Sequence, residues 1–127
     1  MPTIGLNHYN LRAAPELLAE LKEFYCEVVG LELGKRMPAM SSGYWLYAGG
    51  QDILHLSEAK QGEIRLTHVA STFDHVAFTC TQRSEIESRL KSYGIQFKTS
   101  HTPLIGKVQV FFQDPAGNGV ELNFSDE

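Results

Sequence analysis

Four side chains of types that bind divalent metal ions recur at matching intervals in this chain: His8, His55, His75 and Glu121. His75 follows His8 by 67 residues, and Glu121 follows His55 by 66 residues. Imidazole nitrogen and carboxylate oxygen together suit Fe(II), Zn(II), Ni(II), Mn(II) or Co(II), and the set holds no thiolate that would narrow the choice. The spacing therefore suggests one divalent-metal centre built from two equivalent halves of the chain.

The elements that must position these four residues are predicted to occur twice in the same order. The predicted elements of the first half are a strand at 3–12, a helix at 15–29 and strands at 31–36, 44–48 and 53–57. Those of the second half are a strand at 72–80, a helix and strands at 95–99, 107–113 and 119–124. Gly30 and Gly94 are predicted to end the two helices, and Ser84 with Glu87 suggests a capping box at the start of the second. The chain is thus an α+β protein made of two strand-helix-strand-strand-strand modules, 1–57 and 72–127, joined by a polar linker at 58–71.

Strand alternation tests whether the four candidates share a face, because successive side chains point to opposite sides of a sheet. Each candidate alternates with apolar residues that would meet the helices, such as Leu54 and Leu56 around His55. All four candidates are therefore predicted to lie on the other, more polar face. The same argument places Trp45, Tyr47, Gln109, Phe111 and Gln113 on that face.

Composition limits the classes of function. The chain has 127 residues, with 43% hydrophobic and 20% charged residues, which is typical of one globular, water-soluble domain. Its net charge of −4, without any long run of Lys or Arg, argues against a nucleic-acid or membrane-surface partner. No apolar stretch approaches the length of a membrane span, and no secretory signal is visible. Cys26 and Cys80 form no disulfide or zinc motif, which favours the cytoplasm.

Four stretches resemble the vicinal oxygen chelate superfamily, which includes glyoxalase I, extradiol dioxygenases, and fosfomycin and bleomycin resistance proteins. They are Leu6-Asn7-His8-Tyr9-Asn10-Leu11, Phe24-Tyr25-Cys26-Glu27-Val28-Val29-Gly30-Leu31, Phe73-Asp74-His75-Val76-Ala77-Phe78 and Asp114-Pro115-Ala116-Gly117-Asn118-Gly119-Val120-Glu121. The resemblance spans nearly the whole chain, and its last stretch is the most specific. It implies a glyoxalase-like fold, in which two modules in pseudo-twofold arrangement form a cupped mixed sheet, and it implies a homodimer.

The resemblance also implies ligand roles. His8, His75 and Glu121 match the family's three commonest ligand positions, and His55 matches the optional fourth. Glyoxalase I usually carries Glu or Gln at that fourth position, so His55 is a departure from its pattern. A two-histidine, one-carboxylate face also suits a non-haem Fe(II) oxygenase.

The expected function is a metal-dependent enzyme that chelates two neighbouring oxygens of a small-molecule substrate, with either lyase or isomerase chemistry or ring-cleaving dioxygenation. Glu121 is the candidate catalytic base, and Arg12 the candidate partner of an anionic substrate group. Trp45, Tyr47 and Phe111 are candidate walls for the substrate, and the loops at 37–43 and 100–106 are expected to rim the cavity. A non-catalytic binder of small molecules, like the drug-sequestering resistance proteins, is the alternative, and a metal-stabilised structural module is a third. The site is predicted to lie within one chain, although exchange of halves between subunits stays open.

Overall fold

The computed structural model describes residues 1–38, 42–102 and 106–125, and the chain divides into two compact units, Met1–Arg65 and Leu66–Glu127. The boundary between the units falls inside the segment predicted to be a linker. Each unit contains one strand, one helix and three further strands in that order. The repeated order predicted from the sequence is therefore confirmed.

The first unit is a four-stranded mixed sheet with one helix. Its elements are β1 (Tyr9–Ala13), α1 (Pro15–Phe24), a π-helical turn (Tyr25–Val29), β2 (Glu32–Gly34), β3 (Gly43–Ala48) and β4 (Gln51–Glu58). The strand order is β1-β4-β3-β2, with β1 parallel to β4 and the other pairs antiparallel. Gly30 ends the helical segment at a φ of 98°, as its position before Leu31 predicts.

The second unit repeats this topology. Its elements are β5 (His75–Cys80), α2 (Arg83–Ser92), β6 (Lys98–Thr102), β7 (Lys107–Gln113) and β8 (Gly119–Ser125). The strand order is β5-β8-β7-β6, again with the first strand parallel to the last. Two mixed four-stranded sheets with few helices make an α+β fold, so the predicted fold class is confirmed.

The apolar faces lie where alternation predicted them. In the first unit, Leu46, Leu54 and Leu56 are buried, and α1 packs on β1, β3 and β4. In the second, the buried residues include Val110, Val120, Leu122 and Phe124 on the sheet and Ile86 and Leu90 on α2. Burying such side chains stabilises a fold by about 1.5–3 kcal/mol each. The opposite face of each sheet carries polar side chains and a few aromatic ones, Trp45 and Phe111 among them.

Several predicted boundaries are wrong. β1 begins at Tyr9 rather than at residue 3, because its ladder with β4 starts at the Tyr9–Leu54 pair and β1 is an edge strand with one neighbour. Residues 1–8 are exposed, with Leu6 at 80%. His8 therefore immediately precedes the strand that was expected to contain it, and His75 is the first residue of its own strand.

The second helix and its following strand also differ from expectation. Gln82, not Ser84, caps α2, with a left-handed φ of 61° and no side-chain hydrogen bond, so no capping box forms. Ile95 still belongs to the helix end, because its N–H donates to the carbonyl of Leu90. β6 consequently begins at Lys98 and runs to Thr102, into the segment expected to be a loop. Parts of both expected rim loops, 39–41 and 103–105, lie outside the described residues.

Candidate functional site

A stack of three aromatic rings lies on the polar face of the first sheet. Trp45 pairs directly with His55 across the β3–β4 ladder, and their rings lie 4.1 Å apart at an interplanar angle of 10°. The ring of His8 stacks on His55 at 3.8 Å and 14°. Two of the four candidate ligands are thus brought together with the only tryptophan of the chain.

Hydrogen bonds hold the two histidines of this stack. The Nε2 of His55 lies 2.7 Å from Oδ2 of Asp52, and because a carboxylate only accepts, Nε2 donates. That bond is the main cause that lowers the pKa of Asp52. Nδ1 of His8 lies 2.7 Å from the side-chain oxygen of Asn7. Asp52 was not expected from the sequence, because residues three apart on a regular strand point to opposite faces of the sheet.

The other two candidate ligands meet in the second unit. Nε2 of His75 lies 3.0 Å from Oε1 of Glu121, and Nδ1 lies 2.8 Å from Oδ2 of Asp74. The hydrogen bond to Asp74 is the largest cause that raises the pKa of His75, and Glu121 adds to it. Asp74 is exposed and its carboxylate fixes the ring, so Nε2 is left facing Glu121.

Glu121 is one of two buried acidic residues among those described, and its carboxylate is held on both sides. Oε2 accepts a hydrogen bond from Nε2 of Gln109 at 3.0 Å and another from the side-chain amide of Asn123. Oε1 faces His75. Gln109, Glu121 and Asn123 share the polar face of β7 and β8, as alternation predicted for Gln109.

The turn before β8 determines where Glu121 stands. Oδ1 of Asp114 accepts the backbone N–H groups of Ala116 and Asn118, each at 2.9 Å, and Oδ2 accepts from the Asn118 amide at 3.0 Å. Asp114, the other buried acidic residue, thereby closes the turn predicted at 114–117. This accounts physically for the most specific stretch of the resemblance, since it fixes the entry of the strand that carries Glu121.

An open cavity of about 990 Å³ lies beside His75 and Phe111 in the second unit. The ring of Phe111 meets His75 edge-on, with centroids 6.4 Å apart. The cavity is also lined by His68, Val69, Phe73, Asp74, Ile95, Phe97, Lys98, Gln113 and Asn118, among others. Phe111 therefore lines this cavity next to a candidate ligand, and its role as a substrate wall stays a prediction.

Two further predicted substrate residues have internal partners. Arg12 pairs with Glu63, with Nε and Nη2 at 2.7 and 2.9 Å from the two carboxylate oxygens. The hydroxyl of Tyr47 donates to the backbone carbonyl of Lys35, and its ring covers Gly34 at the sheet edge. The sequence offered no signal for Glu63, because its contact depends on how the chain turns after β4.

The residues present suit a divalent metal ion by their chemistry. Each unit brings together one pair of candidate ligands, His8 with His55 and His75 with Glu121, and the pairs offer imidazole nitrogen and carboxylate oxygen. Among residues 1–38, 42–102 and 106–125, no group of three or more His, Cys, Asp or Glu side chains is arranged to hold a metal ion. The convergence of all four residues on one ion stays a prediction.

Comparison with known proteins identifies the family to which this chain belongs. The model of the Glyoxalase/Bleomycin resistance protein/Dioxygenase superfamily matches residues 5–122. The chain belongs to this superfamily. A comparison with curated proteins gave no significant match.

Solved structures of the superfamily share the fold at low sequence identity. A lactoylglutathione lyase from Agrobacterium tumefaciens is 24% identical, with 99% of this chain and 97% of that chain covered and a TM-score of 0.66. A mutant of the fosfomycin resistance protein FosX from Listeria monocytogenes, complexed with Mn(II) and 1S,2S-dihydroxypropylphosphonic acid, is 18% identical, covering 97% and 93%, with a TM-score of 0.71. TnmS3, an antibiotic binding protein from a Streptomyces species, is 20% identical, covering 98% of both chains, with a TM-score of 0.66. These glyoxalase-type neighbours thus include a lyase, a resistance protein and a binder.

In the part of the chain that the structure describes, no helix is long and apolar enough to cross a membrane. Cys26 and Cys80 are both free thiols, and burial is the main cause that raises the pKa of each. A raised pKa keeps a thiol protonated and unreactive. Neither cysteine therefore adds to the candidate site.

Proposed function

We propose that this glyoxalase-superfamily protein is a metal-dependent enzyme that binds two neighbouring oxygens of a small-molecule substrate on a divalent ion. His8, His55, His75 and Glu121 would hold the ion, which is Fe, Zn, Ni, Mn or Co. The observation that carries the proposal is the approach of His75 Nε2 to Glu121 Oε1 at 3.0 Å, with Asp74 holding the other ring nitrogen. A carboxylate behind a ligating histidine is a common support in metal sites.

Glu121 is the proposed base. Its Oε2 is held by Gln109 and Asn123, so Oε1, which faces His75, is the oxygen proposed to take a proton. Burial of the residue keeps water from competing for that oxygen. The divalent ion, when bound, supplies Lewis-acid stabilisation of a developing oxyanion.

The apolar walls next to the ligands fit a substrate with a flat or apolar part. Trp45 lies against His55, and Phe111 lies against His75 beside the open cavity. Likeness to a lactoylglutathione lyase supports lyase or isomerase chemistry, whereas a two-histidine, one-carboxylate set supports ring-cleaving dioxygenation. His55 as a fourth ligand would leave fewer positions for O2 and a catechol, and it also departs from the glyoxalase I pattern, so both branches stay in the proposal.

The test begins with metal content. Protein purified without a chelator is analysed for bound metals, and each metal is then paired with its own assay. Nickel, cobalt or zinc that supports turnover of a glutathione hemithioacetal indicates the lyase, and iron that activates O2 uptake with catechols indicates the dioxygenase. A protein that takes up none of Fe, Ni, Zn or Mn contradicts the proposal.

A single substitution tests the ligand set. We expect His75→Ala to abolish metal binding and leave the fold intact, because β5 keeps the buried Phe78 and its ladder with β8. Elemental analysis gives the metal content, and circular dichroism with thermal melting reports the fold. His101→Ala, at an exposed position on β6, is the matched control. Unchanged metal stoichiometry in His75→Ala would remove His75 from the centre.

A non-catalytic binder of small molecules is the second candidate. Likeness to the antibiotic binding protein TnmS3 supports it, as does the open cavity beside Phe111. A metal-free protein that binds small aromatic molecules without converting them would identify the binder. Two further predictions accompany both candidates: the free cysteines favour a reducing cytoplasm, and the family resemblance favours a homodimer.

A further inference from the structure

His68, which lies in the segment that leads into β5 and outside the candidate metal centre, has an unusual backbone conformation. Its φ is 56°, in the left-handed region, which residues with a side chain adopt at a cost in free energy. Apart from glycines, Gln82 at the start of α2 is the one other described residue with a positive φ. Such conformations persist only where the surrounding structure holds them, and they cluster at ligand and active sites.

The turn at 114–117 holds His68 in place. The backbone N–H of His68 donates to the carbonyl of Ala116 at 2.9 Å. Gly117 has a φ of 90°, and a Cβ at this position would lie 2.8 Å from both Cα and Nδ1 of His68. The two residues can therefore lie together only because position 117 carries no side chain. Since Asp114 closes the turn with three hydrogen bonds, His68 has a rigid support although it is exposed.

His68 lines the same open cavity as His75 and Phe111. This cavity lies at the end of the second sheet where β5, β6 and β8 begin and β7 ends. Its lining includes the residues at those strand ends, His75, Lys98, Gly119 and Gln113. Within the described residues, the ring of His68 makes no hydrogen bond to another side chain. Its imidazole is therefore available to a molecule bound in the cavity.

The rest of the lining suits an uncharged aromatic molecule. Three phenylalanines line the cavity, Phe73, Phe97 and Phe111. Phe73 is 48% exposed, so part of its flat apolar surface can be covered by a ligand. The charged side chains are of both signs, from Lys98 and Asp74, and the carboxylate of Asp114 is already used by the turn. No excess of one charge therefore favours an ion in this cavity.

We propose that His68 contacts the molecule bound in this cavity and selects an uncharged aromatic compound with a neutral group, such as a carboxamide, that both donates and accepts hydrogen bonds. A neutral imidazole has one donor nitrogen and one acceptor nitrogen, which match the two functions of such a group. The aromatic ring of the compound would lie against the phenylalanines. Assigning this molecule as the substrate rests on the proposed function, whereas its contact with His68 requires no metal ion.

The test measures binding of benzamide to chelator-treated, metal-free protein. Toluene lacks the amide and reports the apolar contribution alone, and benzoate replaces the neutral group by a carboxylate of similar shape. NMR titration gives the three dissociation constants, and the signals of the His68 ring report direct contact. We expect benzamide to bind more tightly than benzoate and to shift the His68 ring signals.

His68→Gly is the decisive variant, because glycine adopts the left-handed conformation without strain and leaves the fold intact. We expect benzamide to bind about three- to tenfold more weakly, as for the loss of one hydrogen bond, and toluene to bind as before. His68→Asn is expected to recover part of the benzamide affinity, because asparagine tolerates this conformation and its amide both donates and accepts. His101→Ala, at an exposed position on β6, is the matched control and is expected to keep both affinities.

Three results would overturn the proposal. The first is a His68→Gly variant that binds benzamide as tightly as the unsubstituted protein does. The second is benzoate bound more tightly than benzamide, and the third is an unsubstituted protein that does not bind benzamide. Because no metal is present in these measurements, their failure would leave the proposed metal centre standing. A protein that takes up no metal would in turn leave the contact of His68 with its ligand standing.

Discussion

At the scale of single residues, each candidate histidine has a carboxylate or an amide against it. Asp74 is hydrogen-bonded to His75, Asp52 to His55, and Asn7 to His8. Such partners choose which ring nitrogen carries the proton, and so which nitrogen is free to bind. The spacing in the sequence was enough to select the four candidate ligands. Which ring nitrogen of each histidine carries the proton depends on neighbouring side chains that only the structure shows.

Trp45 gives an optical report on its neighbour His55. As the chain's single tryptophan is stacked on that ring, we expect Zn²⁺ added to metal-free protein to change its fluorescence as His55 binds the ion. His55→Ala is expected to lose this response, and His101→Ala to keep it. If Zn²⁺ binds and the tryptophan fluorescence does not change, His55 is not a ligand of the metal centre.

At the scale of elements, the close approach of β5 to β8 sets the position of His75. Gly119 pairs with His75, and a Cβ at Gly119 would collide with the Asp74 carbonyl and lie 2.9 Å from Cβ of His75. The strand that carries Glu121 therefore begins with a residue that must lack a side chain. The proposed metal-binding pair, His75 and Glu121, depends on this contact, although Gly119 itself has no side chain that could bind a metal.

Gly119→Ala tests that dependence. We expect a loss of about 1–3 kcal/mol in the free energy of unfolding, as for other overpacked sites. We also expect metal affinity to fall by at least about tenfold, as when a ligand's support is removed. Denaturant titration and metal competition measure the two. Gly5→Ala, where a Cβ meets nothing within 4 Å, is the control, and equal behaviour of the two variants would contradict the argument.

The ion pair of Arg12 with Glu63 makes the stability of the first unit sensitive to acid. Hydrogen bonds, first from Arg12 and then from Lys60 and Arg65, lower the pKa of Glu63 well below its usual 4.5. A lowered pKa means that the stabilisation is complete above pH 4.5 and is lost as pH falls through the lower folded value. Glu63→Gln should therefore show less loss of stability than the unsubstituted protein on acidification below pH 4.5. Denaturant midpoints across this range measure it, and parallel curves would contradict it.

The features of the fold and of the candidate site that could be predicted from the sequence are those that follow the regular geometry of a single strand or helix. Alternation has a fixed period of two, so the faces of His55, Trp45, Glu121 and Phe111 were predictable. Contacts between residues three apart on a strand, or made beyond the end of a strand, follow no such period, so the contact of Asp52 with His55 and that of Glu63 with Arg12 were not predictable. The π-helical turn at Tyr25–Val29 was not predictable either, because its apolar residues also fit a regular α-helix.

At the scale of the whole molecule, one topology is used twice, and this family supports several chemistries on it. The predicted homodimer is a property at this scale. Light scattering is expected to give twice the chain mass of 14.2 kDa, about 28 kDa. A mass equal to one chain across the working concentration range would contradict the homodimer, and it would also exclude a centre shared between subunits.

The stretch between the two units has a practical consequence. Ile64 and Leu66 are 84% and 77% exposed and lie on either side of Arg65, the last residue of the first unit. This position lies between β4 and β5, outside every strand and helix. Exposed backbone of this kind tolerates added sequence far better than a strand or helix does. A peptide tag or a fluorophore attachment sequence spliced in after Leu66 should therefore leave both halves intact and give a labelled form of the protein for tracking in cells.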